Sequence, residues 1–535
     1  MKGVLPSVLP GLALLAALLV VPFALRTGRP PDIQTSRRLV VLTPHNEAIR
    51  YEIERGFRRY LQARGQAEVH IDWRNPGGTS EQSRYLSSEY RSAFERYFLA
   101  KTGRALSERG ALGFANPKQT SEGDDEPALA RRLFLASNVG IRIDLSFGGG
   151  SYEFVNHAAA GRYVDSGILA SRPELFGPRA IPQTNGGVPY WDKQGRWVGV
   201  CVSAFGICYN REALGRLGID RAPTRWSDLA DARLAGHIAL VDPSKSGSAG
   251  KAFEMMLQQS MSDALTRAGS PAAGSPDEAA ALERGFDDGL RLIRRLAGNS
   301  RYFADQASKV SQDVQSGNAA VGTCIDFYGR FEGDRPGPMQ RLGFALPEGG
   351  SAMDSDPVAL LRGAPSPELG KTFIEFLVSP EGQAVWSYRR GAPGGPERYA
   401  LRRTPILPLM FEPERRSWLS DPNDNPYVAA RSFTYHAAWT GSLFRALSFV
   451  IRVMGVDTEE ELHAAAAALA AHHDPPRARA LFDDVSLVSY AVVKDEIAPT
   501  LANGEPLREV ALQNRLVRAL KLQYEQVSEL ARSNR

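Results

Sequence analysis

A chain of 535 residues with 43% apolar and 23% charged side chains is too long for one ordinary core and too apolar to stay unfolded. Its formal net charge of +4 is small for that length, and no basic stripe interleaved with aromatics occurs, so composition gives no sign of a nucleic-acid partner. Three cysteines, Cys201, Cys208 and Cys324, are too few for a disulfide framework and lack metal-site spacing; one bridge with a thiol left over, or three buried thiols, are the arrangements open.

At the N-terminus Lys2 precedes an apolar run whose uninterrupted part, residues 12–21, has the length of a signal-peptide core. Counted over 4–25 it is long enough to span a membrane. Residues 1–31 are therefore expected to be a signal peptide or signal anchor with its linker. Arg26, Arg29, Arg37 and Arg38 oppose export by the positive-inside rule and leave the orientation open.

Next comes a strand, a helix with Ile49, Ile53, Phe57, Tyr60 and Leu61 at helical spacing and Gly65 as its stop, and a strand alternating through Val69, Ile71 and Trp73. That is a βαβ unit, which predicts a parallel sheet with a right-handed crossover. Residues 116–132 lack periodicity and read as a surface insertion. A strand over 141–147 ends in Gly148, Gly149, Gly150 and Ser151. Residues 197–210 form a long extended segment with a bend expected at Gly206; further strands follow at "HIALVDP" and over 319–329, with a helix over 277–298 between them. Strands alternating with helices over this length mean α/β, and two lobes are the natural partition. A helix from Glu368 breaks at Ser379 and Pro380. The tail is helical, with Val510, Leu516, Leu520, Tyr524 and Val527 along one side behind Pro506, and is expected to pack against the second lobe.

The stretch "GHIALVDPSKSGSAGKAFEMM" (236–256) poses the functional question. Gly250 and Lys251 are followed by Ala252, and Lys245 stands where a phosphate loop of a nucleotide hydrolase needs its first glycine. What remains is a helix N-terminus with Ser246 or Ser248 as cap, partially positive and suited to an oxyanion. An ordinary strand-to-helix connection with a capping serine is the alternative. No G-x-S-x-G, H-E-x-x-H or dinucleotide G-x-G-x-x-G motif occurs, which argues against an enzyme.

Taken in order, "LVVLTPHNE", "DLSFGGGSYEF", "GVCVSAFGICYNREAL", "RWSDLADARLAGHIALVDPSKSGSA", "VGTCIDFYGR" and "SDPVALLRGAPSPELGKTFIEFLVSPEGQAVW" resemble the extracellular solute-binding proteins of ABC importers. The likeness covers roughly 39–405 and is greatest to the ferric-iron-type branch, which includes binders of thiamine, aminoalkylphosphonates and sugar phosphates. It implies an α/β periplasmic-binding-protein fold of type II. The first lobe would comprise 38–200 with 350–408, the second 201–349, and a helical C-terminal extension 409–535. Hinge crossovers are expected near 198–205 and 326–350.

The resemblance also implies a protein that captures a small ligand and delivers it to an ABC permease, periplasmic or anchored to the inner membrane, with no catalysis and no cofactor. The implied ligand residues are His45, Asn46, Glu47, Gly149, Gly150, Ser151, Ser203, Ser246, Gly247, Ser248, Asp326, Tyr328 and Asp356. Neutral N–H and hydroxyl donors predominate among them, which favours a phosphorylated, phosphonate or carboxylate compound. Ferric-ion binders of this kind commonly carry two adjacent tyrosines, hard oxygen donors for Fe(III), whereas this chain has Phe327 and Tyr328. A metal is therefore not favoured; iron would have to use His45, Glu47 and Tyr328. A membrane-tethered ligand sensor is a further alternative. The family places Cys208 and Cys324 on neighbouring strands near the hinge, which implies a possible bridge in an oxidising compartment.

Overall fold

The computed structural model describes residues 37–333, 341–502 and 505–533. The signal or anchor read over 1–31 lies outside them, and among the described residues no helix is long and apolar enough to cross a membrane.

The frame consists of β1 (Arg37–Leu42), β2 (Val69–Arg74), β3 (Leu145–Phe147), β4 (Val198–Asn210), β5 (Ile238–Val241), β6 (Ser300–Ala304), β7 (Val321–Ile325), β8 (Leu342–Ala345) and β9 (Met353–Leu361). In the first lobe the order is β2-β1-β3-β9-β4. There β1 runs parallel to β2 and β3, and β9 antiparallel to β3 and β4. In the second lobe it is β4-β7-β5-β6, with β8 on the other edge of β4. The same strand, β4, thus serves both sheets: 198–204 pair with β9, and 205–210 with β7 and β8. All thirteen of its residues are buried, as its unbroken apolar sequence requires of a strand covered on both faces. This is the two-lobed, type II arrangement that the resemblance implies, with β4 as one crossover.

The second crossover is shorter than expected. The strand read over 319–329 stops at Ile325, because Asp326 opens a short helix, Asp326–Gly333, with its carboxylate accepting the Phe327 N–H at 2.7 Å. The return to the first lobe is the passage from β8 to β9. Cys201, Cys208 and Cys324 are buried free thiols, so the implied bridge is not formed. On the antiparallel pair β4 and β7, Cys208 stands opposite Gly322 and Cys324 opposite Gly206, a diagonal placement, and the Cys208 thiol lies 3.4 Å from the Gly322 carbonyl oxygen.

The helices that matter for the site are α1 (Glu47–Gln62), α2 (Thr79–Thr102), α3 (Ser151–Ala159), α4 (Gly247–Arg267) and α5 (Ala307–Ser316). Each follows a strand directly: β1, β2, β3, β5 and β6 in turn. α1 buries Ile49, Ile53, Phe57, Tyr60 and Leu61, the stripe predicted from spacing. Part of the presumed insertion over 116–132 is a helix, Glu126–Ala136, capped by Asp125.

The tail divides between the lobes. Its first part is tied to the first lobe: Arg389 donates its N–H to Trp418 O at 2.9 Å, Ser420 to Ser387 O at 2.8 Å, and Tyr435 to Gly186 O at 2.8 Å. Its later part lies against the second lobe: α6 (Phe444–Ile451) packs on α4, Glu254 accepts from Thr440 Oγ1 at 2.6 Å, and α7 (Pro506–Ser533), packed mainly on other tail helices, brings the Tyr524 ring to 5.5 Å from Arg294. Sequence reading assigned the whole tail to the second lobe because only its late helices have an apolar stripe; the Pro-rich first part has none. On α7, Leu512 takes the buried place expected of Val510, which is 51% exposed: the step from 510 to 516 does not keep one helical face.

Candidate ligand-binding cleft

A cavity of about 540 Å³ lies between the lobes. The helices α1 to α5 all begin there, beyond the carboxyl ends of the strands that precede them, the usual place for a ligand in an open α/β sheet. Asn46 caps α1, its side-chain oxygen accepting the Ile49 N–H at 3.1 Å. α2 begins at Gly78 and α3 at Gly150, neither of which has a side chain to cap with. Gly150 has φ +85°, a conformation that a side-chain-bearing residue adopts only at a cost. On α4 the cap is Ser246, which accepts the Ala249 N–H at 3.3 Å; this decides between the two serines, and Gly247 and Ser248 remain on the cavity wall. α5 starts after Gln306 without a side-chain cap. Five partially positive helix ends, three lacking a capping side chain, thus face one space.

The floor is made by the crossover strands. Ser203 on β4 stands opposite Asp354 on β9 and is 4% exposed, yet its hydroxyl has no hydrogen-bond partner. Asp356 is fully engaged: it accepts the Gly149 N–H at 2.8 Å, lies 3.0 Å from His45 Nε2, and forms an ion pair with the buried Arg403. Because an ionised carboxylate only accepts, His45 is assigned its proton on Nε2, and Nδ1 accepts from Thr43 Oγ1 at 3.0 Å. Burial, helped by the positive charges of Arg403 and Arg50, holds the His45 imidazole well below its ordinary pKa, so the ring is neutral. Arg403 lies over the Phe327 ring at 4.1 Å from its centroid. Burial pushes Asp354 upward against the opposing charge of Lys251. Lys251, almost buried, pairs with the fully buried Glu254 at 2.7 Å.

Ten of the thirteen sequence candidates line this cavity: His45, Asn46, Gly149, Gly150, Ser203, Ser246, Gly247, Ser248, Tyr328 and Asp356. Glu47, Ser151 and Asp326 do not. Glu47 is the exposed first residue of α1, where its charge favours the helix start. Ser151 is turned to Asp354, to which its hydroxyl donates at 2.6 Å. Asp326 faces a second cavity, of about 430 Å³, with Arg330 3.5 Å away. The conditional iron set is therefore not assembled: Glu47 lies outside the cavity, and His45 is held between Thr43 and Asp356. Among the described residues no group of three or more His, Cys, Asp or Glu is placed to hold a metal ion.

Sequence reading missed Thr79, Tyr152, Lys251, Asp354, Arg403 and Phe444, all on the cavity wall. Lys251 and Asp354 lie inside stretches that were already singled out. Arg403 and Phe444 are distant in sequence from every motif, and only packing brings them in.

The model of the bacterial extracellular solute-binding protein family matches residues 143–418, just over half the chain. The chain belongs to this family. Among curated proteins it resembles the phosphoglycerate transport regulatory protein PgtC of Salmonella typhimurium, 25% identical over 223 residues, which are 42% of this chain and 45% of the relative. It also resembles a putrescine/agmatine-binding protein of Pseudomonas aeruginosa, 30% identical over 138 residues, 24% of this chain and 36% of the relative. This solute-binding protein thus matches less than half the length of these relatives. Among solved structures, the periplasmic binding protein AfuA from Actinobacillus pleuropneumoniae with fructose-6-phosphate is 16% identical with a TM-score of 0.44, covering 66% of this chain and 82% of its own. Iron-bound HitA from Pseudomonas aeruginosa is 14% identical with a TM-score of 0.44, covering 78% and 99%.

Proposed function

We propose that this protein is the extracytoplasmic capture component of an ABC importer, binding a small phosphorylated, phosphonate or carboxylate compound in the cleft and handing it to a membrane permease without chemical turnover. Residues 1–31 would supply the export signal, or the anchor that holds it at the inner membrane. The observation that carries the ligand reading is the unpartnered Ser203 hydroxyl at the floor, beneath the converging starts of α1 to α5. A buried hydroxyl without a partner costs free energy, which a ligand oxygen placed above it would return. Uncapped helix starts donate N–H bonds to an anion, and such charge-assisted bonds are the stronger kind. Arg403 offsets the charge of Asp356, and Lys251 opposes that of Asp354, which lessens the repulsion an anion would meet at the floor.

A second reading rests on a different observation. Glu81, Glu153, Asp305, Asp354 and Asp356 on the wall outnumber Lys245, Lys251 and Arg403, a balance that suits an amine. A thermal-shift series decides. Phosphoglycerate, hexose phosphates, aminoalkylphosphonates and citrate are expected to raise the melting temperature, by about 2.7 kcal/mol of stabilisation at a hundredfold excess over the dissociation constant. Stabilisation by putrescine and spermidine alone refutes the acidic-ligand reading.

A further inference from the structure

The cavity wall contains one residue that the two lobes do not supply. Phe444, the first residue of α6, comes from the tail, is 7% exposed and lines the cavity. Its ring meets that of Tyr152, in the first turn of α3 on the opposite lobe, with centroids 4.4 Å apart and planes tilted by 44°. The contact spans the cleft: α3 belongs to the first lobe, while α6 packs on α4 of the second. The seat of the ring is specific. A β-carbon at Gly250 would stand 2.9 Å from Phe444 Cζ, so the first turn of α4 must be bare for the ring to enter. Lys251 Nζ lies 5.4 Å from the Phe444 centroid and 4.3 Å from that of Tyr435, also a tail residue, within cation–π range of both. Tyr435 and Thr440 donate to Glu254 at 2.9 and 2.6 Å, which fixes the tail on α4 just ahead of Phe444.

We propose that Tyr152 and Phe444 form an aromatic gate, one ring on each side of the cleft, that closes one end of the cavity and limits the length of ligand it admits. The tail is then part of the binding site, and Phe444 is a specificity determinant. The two rings make an apolar patch beside the starts of α3 and α4, which fits a ligand whose charged head is held by helix N–H groups while a short body lies against the rings. The gate rests on the reading that this cavity holds the ligand, so its test has an arm that uses none.

In that arm, the full-length protein, Phe444→Ala, Phe444→Leu and Tyr152→Ala are acetylated with a water-soluble reagent, and the rate at Lys251 is read by mass spectrometry against Lys118, exposed and outside the cavity, as internal reference. Phe444→Ala and Tyr152→Ala are expected to raise the Lys251 rate at least tenfold, Phe444→Leu much less, with the rate at exposed lysines unchanged. In the ligand arm, the same proteins are titrated with glycerol phosphate, glucose 6-phosphate and a disaccharide phosphate, and in parallel with putrescine, spermidine and spermine. Phe444→Ala is expected to shift preference toward the longest member of whichever series binds, by tenfold or more relative to the shortest. An unchanged Lys251 rate in Phe444→Ala overturns the gate, as does an unchanged length preference. Binding of the amines alone overturns the acidic-ligand reading and leaves the gate to be judged on the amine series. If no probe binds, the Lys251 rate decides the gate by itself.

Discussion

Removing the partner of a buried charge gives the sharpest test of how the cleft floor is built. Arg403 and Asp356 are 3% and 7% exposed, and each is satisfied mainly by the other. Arg403→Met leaves Asp356 with two neutral donors, the Gly149 N–H at 2.8 Å and His45 Nε2 at 3.0 Å, but without a counter-charge. Stranding one member of such a pair costs about 3–5 kcal/mol. Two good hydrogen bonds remain, so the lower half of that range, about 3 kcal/mol, is expected. Asp356→Asn keeps an acceptor for Gly149 and strands Arg403, whose remaining support is the Phe327 face at 4.1 Å and the Cys201 sulfur at 3.3 Å; about 4 kcal/mol is expected. The double variant strands neither member of the pair and should cost less than the sum of the two. The assay is urea unfolding of all four proteins without ligand, with coupling energy taken from the cycle. Single effects that add to within about 0.5 kcal/mol would show that the pair is not energetically coupled, and the account of a neutralised floor would fail. Normal stability of Arg403→Met would fail it too, since it would leave Arg403 free to meet the ligand directly.

Ser203→Ala removes a buried hydroxyl that has no partner, so stability should hold or rise by up to about 1 kcal/mol while affinity for the bound oxyanion falls roughly tenfold; reduced stability without loss of affinity would count against its ligand role. His45 and His157 both have pKa values depressed by burial, so the unfolded chain takes up protons that the folded one refuses. Their contribution to stability is complete above the ordinary histidine value of about 6.5 and is lost as pH falls below it, at up to about 1.4 kcal/mol per pH unit for each ring. His157→Gln should remove one proton from that slope in pH-dependent unfolding; an unchanged slope refutes the assignment. Thiol titration should find Cys201, Cys208 and Cys324 silent in the folded protein and all reactive in denaturant without reductant, whereas one reactive thiol would mean a bridge.

What sequence made legible was local. Strand followed by glycine, serine or asparagine followed by helix is a pattern within about ten residues, and it located three of the five helix starts that face the cavity, through Asn46, Gly150, Ser246 and their neighbours. The apolar run over 197–210 was legible as one long extended segment and the family resemblance put a crossover there, whereas its burial on both faces came with the structure. The failures share one cause. Ser151, Glu47 and Asp326 belong to the right stretches, but which way a side chain turns at a helix start depends on partners elsewhere: Asp354, 203 residues on, claims Ser151. Arg403 is called into the floor by Asp356, and Phe444 by the bare surface of Gly250. Such pairings leave no periodicity or motif, since each half is compatible with many neighbours until the fold chooses one. A cleft between lobes is where this matters most, because its walls are assembled from segments that meet nowhere else. The parts recognised from sequence are those that would serve any ligand of this architecture, the helix starts and their glycines. Those found only in three dimensions, Arg403, Lys251, Tyr152 and Phe444, line the same cavity, and on the proposed reading they would set the charge and length of the ligand admitted.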